Sequence, residues 1–150
     1  MTTKIKIGDR WVGEDEPTYI VAEVGSNHNG DLAQAKELID VAASSGVDVV
    51  KFQIFKAETL LTHDHPAFQI IKDNELPREW VGELATYAAQ RNVLFTASPF
   101  DHEAVDLLCE IGVPLLKWAS PEIHDIPLLK YAAATGKALL VSTGMCNLMD

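Results

Sequence analysis

The sequence has only two cysteines, Cys109 and Cys146, and neither belongs to a C-x-x-C pair or a metal-type spacing. No disulfide framework is implied, and reduced thiols suit a cytoplasmic protein. No apolar run approaches the roughly 20 residues that cross a bilayer. The opening stretch, MTTKIKIGDR, also lacks the apolar core of a signal peptide. Positive charge is scarce: 12 Lys and Arg stand against 22 Asp and Glu, a formal net charge of −10. Nucleic acid and anionic membranes are therefore poor partners, although a local pair of lysines can still reverse the field inside a cleft.

What is present is a chain of 150 residues, 47% hydrophobic, enough for one core. It is organised around Tyr19–Gly30, YIVAEVGSNHNG. Tyr19-Ile20-Val21-Ala22 reads as a buried strand, apolar on both faces. Glu23 then interrupts the run, followed by Gly25 and Ser26-Asn27-His28-Asn29-Gly30. A carboxylate at the C-terminal end of a buried strand is costly unless something uses it. In parallel α/β folds that end of the strands is where ligands bind. A plain strand running into a hydrophilic turn would account for Asn29-Gly30 but less well for Glu23 and Asn27-His28.

Residues 1–18 read as an N-terminal hairpin extension, with Lys4-Ile5-Lys6-Ile7 alternating, Gly8-Asp9 turning and Trp11-Val12 returning. Residues 19–150 alternate strand and helix without a break. Asp31, with Gln34 as capping partner, starts a helix whose stripe is Ala35, Leu38, Ile39, Ala42 and Ala43 and which Gly46 ends. A strand at 47–53 carries Lys51 and Gln53 on one face. Residues 54–76 read as a long irregular loop, and Pro77 opens the next helix. Strands at 93–98, 113–120 and 138–142 follow, the helices between them capped by Asp101 and Asp125. The echo between Gly46-Val-Asp-Val-Val-Lys51 and Gly112-Val-Pro-Leu-Leu-Lys117 points to repeated β/α units. Five such units predict about the first five-eighths of a TIM (β/α)8 barrel, with the remainder expected after Asp150. A doubly wound open sheet is the alternative, but the Gly-rich phosphate loop it usually carries after its first strand is missing. Open barrel edges would leave Val21, Val49, Leu115 and Leu140 poorly covered.

A barrel would gather Glu23, Asn27, His28, Lys51, Gln53, Ser98, Lys117, Ser120, Glu122 and Ser142 at one mouth. Two lysines emerging from apolar strands can neutralise a substrate bearing carboxylate and phosphate, and serines supply neutral donors to phosphate oxygens. Glu23 and Glu122 are candidate polar anchors or general bases, the catalytic pair of this reading. Each lysine could instead be a snorkelling or structurally paired residue. Two at equivalent places in a repeat favour function. His63-Asp64-His65 reads as a solvated loop, and His28 as a turn former as readily as a catalytic group. His102 and His124 read as exposed, Cys109 as a small buried hydrophobe, and Cys146 as an unactivated thiol.

The motifs A-E-V-G-S-N-H-N-G, V-K-F-Q, S-P-F-D, K-W-A-S-P-E and S-T-G-M, in this order, resemble the N-acetylneuraminate (sialic acid) synthase family, with its legionaminic and pseudaminic acid synthases. The resemblance spans essentially the whole chain. It implies condensation of phosphoenolpyruvate with an open-chain N-acetylated amino-sugar, N-acetylmannosamine or a relative, to a nine-carbon 2-keto sugar acid and phosphate. By motif, Lys51 and Lys117 would bind the carboxylate and phosphate of phosphoenolpyruvate, with Ser98, Ser120 and Ser142 bonding the same ligand. Gln53 and Glu23 would face the sugar, and Glu122 its aldehyde near a divalent metal, Mn2+ or Mg2+. The metal's histidine ligands would lie beyond Asp150. Ala97 stands where a Ser usually precedes the hydroxyl residue and Pro-Phe, that residue here being Ser98 in place of Thr. Trp118 replaces a more usual aliphatic residue. A homo-oligomer is expected. Two rivals stand beside this: a Schiff-base aldolase using Lys51 or Lys117, and a non-catalytic barrel fragment that binds a partner.

Overall fold

A computed structural model describes residues 4–147. The expected segments 1–18 and 19–150 thus have their outermost residues, 1–3 and 148–150, outside the described region. The hairpin is β1 (Ile5–Ile7) and β2 (Arg10–Val12), antiparallel, with Ile7 opposite Arg10 across the Gly8-Asp9 turn. Then come β3 (Val21–Gly25), α1 (Leu32–Ser44), β4 (Val49–Ile54), α2 (Ala57–Leu60), α3 (Phe68–Asp73) and α4 (Arg78–Gln90). The chain continues through β5 (Leu94–Pro99), α5 (His102–Glu110), β6 (Leu115–Trp118), a 3-10 turn (Ser120–His124), α6 (Ile126–Ala134) and β7 (Ala138–Val141). β3, β4 and β5 form one parallel sheet in that order, and β6 and β7 form a parallel pair. The two sheets meet at β5 and β6, where the buried Thr96 hydroxyl donates to the Leu115 carbonyl at 2.6 Å.

Side-chain alternation divides each strand between two environments. Val50, Phe52 and Ile54 of β4, Phe95 and Ala97 of β5, and Leu116 and Trp118 of β6 join one core with Ala35 and Ile39 of α1, Val81 and Leu84 of α4, Val105 and Leu108 of α5, and Leu128 and Ala132 of α6. The long helices therefore share one face of the strands, whereas a doubly wound sheet carries helices on both. Trp118, fully buried in that core, donates its indole N–H to the Glu122 carbonyl at 2.9 Å, so its bulk is packing behind the strand.

The other face begins with a second, smaller core. Ile7 of the hairpin covers the first residues of the strands, Val21, Val49, Leu94, Leu115 and Ala138, with Val12 and Tyr19 alongside. Val49 and Leu115, expected to be poorly covered, are fully buried because the hairpin is their floor. Leu140, at 41% exposed, does remain uncovered.

Several local expectations need correction. Residues 54–76 are not irregular throughout: α2 and α3 lie within them, tied down by Glu75, whose carboxylate accepts from Ala57 N at 2.5 Å. Buried Ala57 and Leu76 hold this segment against the body, a packing signal too sparse to show periodicity. The first strand runs two residues later than Tyr19, so Glu23 lies inside it. The strand expected over 113–120 is shorter, because Pro121 turns the chain into the 3-10 segment. Asp31 caps α1 through Ala33 N and Gln34 N, but Gln34 does not close a capping box. Its amide reaches back to the Asn27 carbonyl at 2.7 Å and ties down the turn after β3. Gly46 ends α1 at φ +72, and Asn92 takes the same left-handed role after α4 at φ +57, a position Asn tolerates.

The hairpin is fastened through Asp48. Its carboxylate pairs with the Arg10 guanidinium and accepts from Ile20 N at 2.6 Å, while Arg10 also donates to the Pro17 carbonyl. Removing Asp48 orphans a half-buried cation and a backbone donor together. Asp48→Ala should cost about 1–3 kcal/mol, read as a fall in the urea midpoint, and Asp48→Asn should cost less because it retains an acceptor for Ile20 N. An unchanged midpoint in Asp48→Ala would show that the hairpin is not held there.

Candidate active site

The face bearing the smaller core turns polar two residues further along β3, β4, β5 and β6, at Glu23, Lys51, Thr96 and Lys117. Glu23 of β3 aligns with Lys51 of β4, and Lys51 with Thr96 of β5. Gln53 aligns with Ser98 in the next layer, and Lys117 of β6 with Leu140 of β7. The same alternation that sends Phe52 to the helices sends Lys51 and Gln53 the other way.

Lys51 is buried, and its ammonium lies 2.5 Å from Glu23 Oε2. Lys117 donates to Ser142 Oγ at 2.5 Å and to the Trp118 carbonyl at 2.7 Å. Burial holds Lys117 below the ordinary lysine value; the positive charge of Lys51 adds to this, and Glu23 opposes it. The two lysines thus feel one another across the face. Ser98 Oγ is buried and has no protein partner among the described residues. Gln53 Oε1 accepts from Ser26 Oγ at 3.2 Å, and Ser120 Oγ from Met145 N at 2.6 Å. Glu122 sits in the 3-10 turn after β6, where burial first and Asp125 second raise its carboxyl above the usual range.

Asn27 and His28 are placed differently. Asn27 is exposed, and its backbone serves the turn, N–H to the Val24 carbonyl and C=O to Gln34. His28 is fully buried, its Nδ1 accepting from Gly30 N at 3.1 Å and its ring 6.4 Å from Phe52, a residue of the helix-side core. That geometry makes His28 a turn former. Burial also lowers its pKa, keeping the ring neutral.

Among the described residues no three His, Cys, Asp or Glu side chains are grouped to hold a metal ion. His63, Asp64 and His65 are exposed in their loop, and His102 and His124 are exposed too. Cys109 packs against the core, and the Cys146 thiol donates to the Thr143 carbonyl at 3.0 Å. No helix among the described residues is long and apolar enough to cross a membrane. An apolar cleft of about 420 Å³ near the start of β5, lined by residues such as Ala89, Phe95 and Ile111, contains no ionisable side chain.

The family model of the NeuB family matches residues 38–150, which include Lys51, Lys117 and Glu122. The chain belongs to the NeuB family, the sialic acid synthases and their relatives. It is 42% identical over 145 residues to the N,N'-diacetyllegionaminic acid synthase of Campylobacter jejuni, a match covering 87% of this chain and 43% of that protein. It is also 42% identical over 145 residues to protein MJ1065 of Methanocaldococcus jannaschii, covering 97% of this chain and 43% of that one. Its structure is similar to the N-acetylneuraminic acid (sialic acid) synthetase of Leptospira borgpetersenii serovar Hardjo-bovis, solved with citrate. The TM-score is 0.94 at 35% identity, covering 99% of this chain and 52% of that chain. The chain thus spans less than half the length of the curated relatives it matches.

Two site features of this NeuB family chain escaped sequence reading. Thr96 lies between Leu94 and Ser98 at strand spacing and bridges the two sheets, and the period alone could have found it. Gly25 has φ +58, and a Cβ there would come within 3.0 Å of Glu23 Oε1. No sequence signal showed that a side chain two residues away needs that space.

The depressed Lys117 pKa gives a pH test with a defined sign. In the pH range just below the ordinary value of 10.5, the native state binds fewer protons at Lys117 than the unfolded chain does. Its contribution to stability therefore rises with pH there. Lys117→Met removes that dependence, so the melting temperature of the variant minus that of wild type should decrease from pH 7 to pH 10. A difference that is constant or grows would refute the depressed pKa.

Proposed function

We propose that this chain carries the phosphoenolpyruvate-binding part of a sialic acid synthase-type enzyme, built on the first five units of a (β/α)8 barrel. The enzyme condenses phosphoenolpyruvate with an open-chain N-acetylated amino-sugar to give a 2-keto sugar acid and phosphate. One observation carries the reading: Lys51 of β4 and Lys117 of β6 are brought onto one face, Lys51 buried and Lys117 held below the ordinary lysine value by burial first and by the charge of Lys51 second. Like charges held together in a partly desolvated place are unfavourable unless an anion uses them. A substrate with carboxylate and phosphate supplies both counter-charges, and the free hydroxyl of Ser98 and that of Ser142 lie on the same face as donors. Helices confined to one face and exposed Leu140 and Val141 on β7 support a barrel whose further strands cover that edge.

In this reading the lysines hold the anion so that carbon 3 of phosphoenolpyruvate meets the sugar aldehyde. That carbon forms the new bond to the aldehyde carbon, water adds at carbon 2, and phosphate leaves by C–O cleavage. Glu122, with its raised pKa, is suited to hold a proton beside the aldehyde oxygen. The divalent metal implied by the resemblance has no cluster of ligands among the described residues.

The test is phosphate release from phosphoenolpyruvate by the full-length protein, with N-acetylmannosamine and related amino-sugars offered in turn. Phosphate should appear only with a sugar, together with an equimolar 2-keto acid. No sugar-dependent release across the panel would overturn the reading. Lys117→Ala should raise KM for phosphoenolpyruvate about ten- to a hundredfold, with a much smaller effect on KM for the sugar. Equal effects would remove Lys117 from the anion site.

The same depressed pKa favours a second reading, a Schiff-base aldolase with Lys117 as the amine. Borohydride trapping with a keto-acid or sugar substrate discriminates. A covalent adduct on Lys117 supports the aldolase, and its absence alongside phosphate release supports the synthase.

A further inference from the structure

The strands that carry the two lysines are not hydrogen-bonded into one sheet. Lys51 belongs to the sheet of β3, β4 and β5, and Lys117 to the pair of β6 and β7. Between β5 and β6 there is no ladder, and among the described residues no backbone hydrogen bond crosses from one to the other. This seam is not the edge of an array. On its other side β5 is paired with β4, and β6 with β7.

Thr96 spans the seam. It is fully buried and level with Lys51 in the β4–β5 register, and its hydroxyl donates to the Leu115 carbonyl at 2.6 Å. A paired strand would ordinarily satisfy such a carbonyl with a backbone N–H. Buried without a donor, the carbonyl would be costly. The Thr96 hydroxyl takes the place of the missing amide.

The placing of Lys117 depends on this link. Its ammonium is held within its own sheet, by Ser142 Oγ at 2.5 Å and the Trp118 carbonyl at 2.7 Å. Lys51 is held within the other, by Glu23. The spacing between the lysines therefore follows from where β6 sits against β5. Leu115 lies two residues before Lys117, so the bond from Thr96 pins β6 just beneath that lysine. Apolar packing also crosses the seam, Phe95 and Leu116 sharing the helix-side core and Leu94 and Leu115 the floor. Such packing is non-directional and tolerates sliding, whereas a hydrogen bond fixes one donor against one acceptor.

We propose that Thr96 is a positioning residue for the anion site: its hydroxyl holds the two sheets together across the β5–β6 seam and so sets the spacing of Lys51 and Lys117 to span the carboxylate and phosphate of phosphoenolpyruvate. The match to that ligand rests on the phosphoenolpyruvate reading above, and the link between the sheets does not. Thr96 acts through the lysines rather than on the ligand.

Three variants of the full-length protein isolate the hydroxyl. Thr96→Ser keeps it, Thr96→Ala differs from Thr96→Ser only in lacking it, and Thr96→Val preserves the shape of threonine without it. Thr96→Ala and Thr96→Val should raise KM for phosphoenolpyruvate about three- to tenfold, with KM for the amino-sugar nearly unchanged. Thr96→Ser should keep both near wild type. Lys117 supplies a readout that needs no substrate: its titration, followed by mass spectrometry as the pH dependence of reductive methylation at that residue. In Thr96→Ala and Thr96→Val the midpoint should rise toward the ordinary lysine value, as water reaches the seam and the charge of Lys51 recedes. In Thr96→Ser it should stay at the wild-type position.

A purely structural Thr96 would lower the melting temperature of Thr96→Ala and Thr96→Val while KM for phosphoenolpyruvate and the Lys117 midpoint stayed at wild type, and that result overturns the proposal. An effect in Thr96→Ser as large as that in Thr96→Ala overturns it too, because the lost methyl would then be responsible. If Thr96→Val does not fold, the comparison of Thr96→Ser with Thr96→Ala decides alone. If wild type does not bind phosphoenolpyruvate, the anion reading fails, and the Lys117 midpoints still decide whether Thr96 holds the seam.

Discussion

The register of β4 between β3 and β5 is the constraint on which the rest depends. In this strand Val49, Lys51 and Gln53 face one way, and Val50, Phe52 and Ile54 the other. Slippage by one residue would drive Lys51 into the helix-side core and bring Phe52 to the polar face, since the side-chain period is two. Two structures oppose that slip. One is the apolar floor beneath Val49. The other is the buried wall of α1, α4 and α5 behind Phe52.

On that frame the polar face is balanced unevenly. Two lysines share it, one holding a carboxylate and the other a serine hydroxyl and a carbonyl. Hydrogen bonds to neutral groups satisfy the donors of Lys117 but not its charge, and its pKa responds accordingly. The face is therefore electrostatically unfinished in the sense expected of a site for a small anion. Binding such an anion would add stability that grows as the logarithm of one plus its concentration over Kd.

The hairpin contributes in a way that its sequence understates. Six residues in two short strands make a poor sheet by themselves. Fastened through Asp48 and inserting Ile7, they close the end of the strand array opposite the polar mouth. Beyond that floor, the described residues on this face of the strands include Glu23, Lys51, Gln53, Thr96, Ser98 and Lys117.

The sequence by itself determined the order of strands and helices, the capping roles of Asp31, Asp101 and Asp125, and the placing of Lys51 and Gln53 on one face. Each of these follows from neighbours within a few residues, through periodicity or a local hydrogen bond. The five motifs also identified the family, because they preserve chemistry at strand ends. Only the tertiary structure decided that Glu23 pairs with Lys51, that burial and then Lys51 lower the Lys117 pKa, that Ile7 covers Val49 and Leu115, and that His28 turns to the core beside Phe52. Those depend on distances between residues from 24 to 108 positions apart, and no local pattern encodes them. The short helices α2 and α3 stayed hidden for the same reason. They are held by Glu75 and by the burial of Ala57 and Leu76, rather than by any stripe of their own.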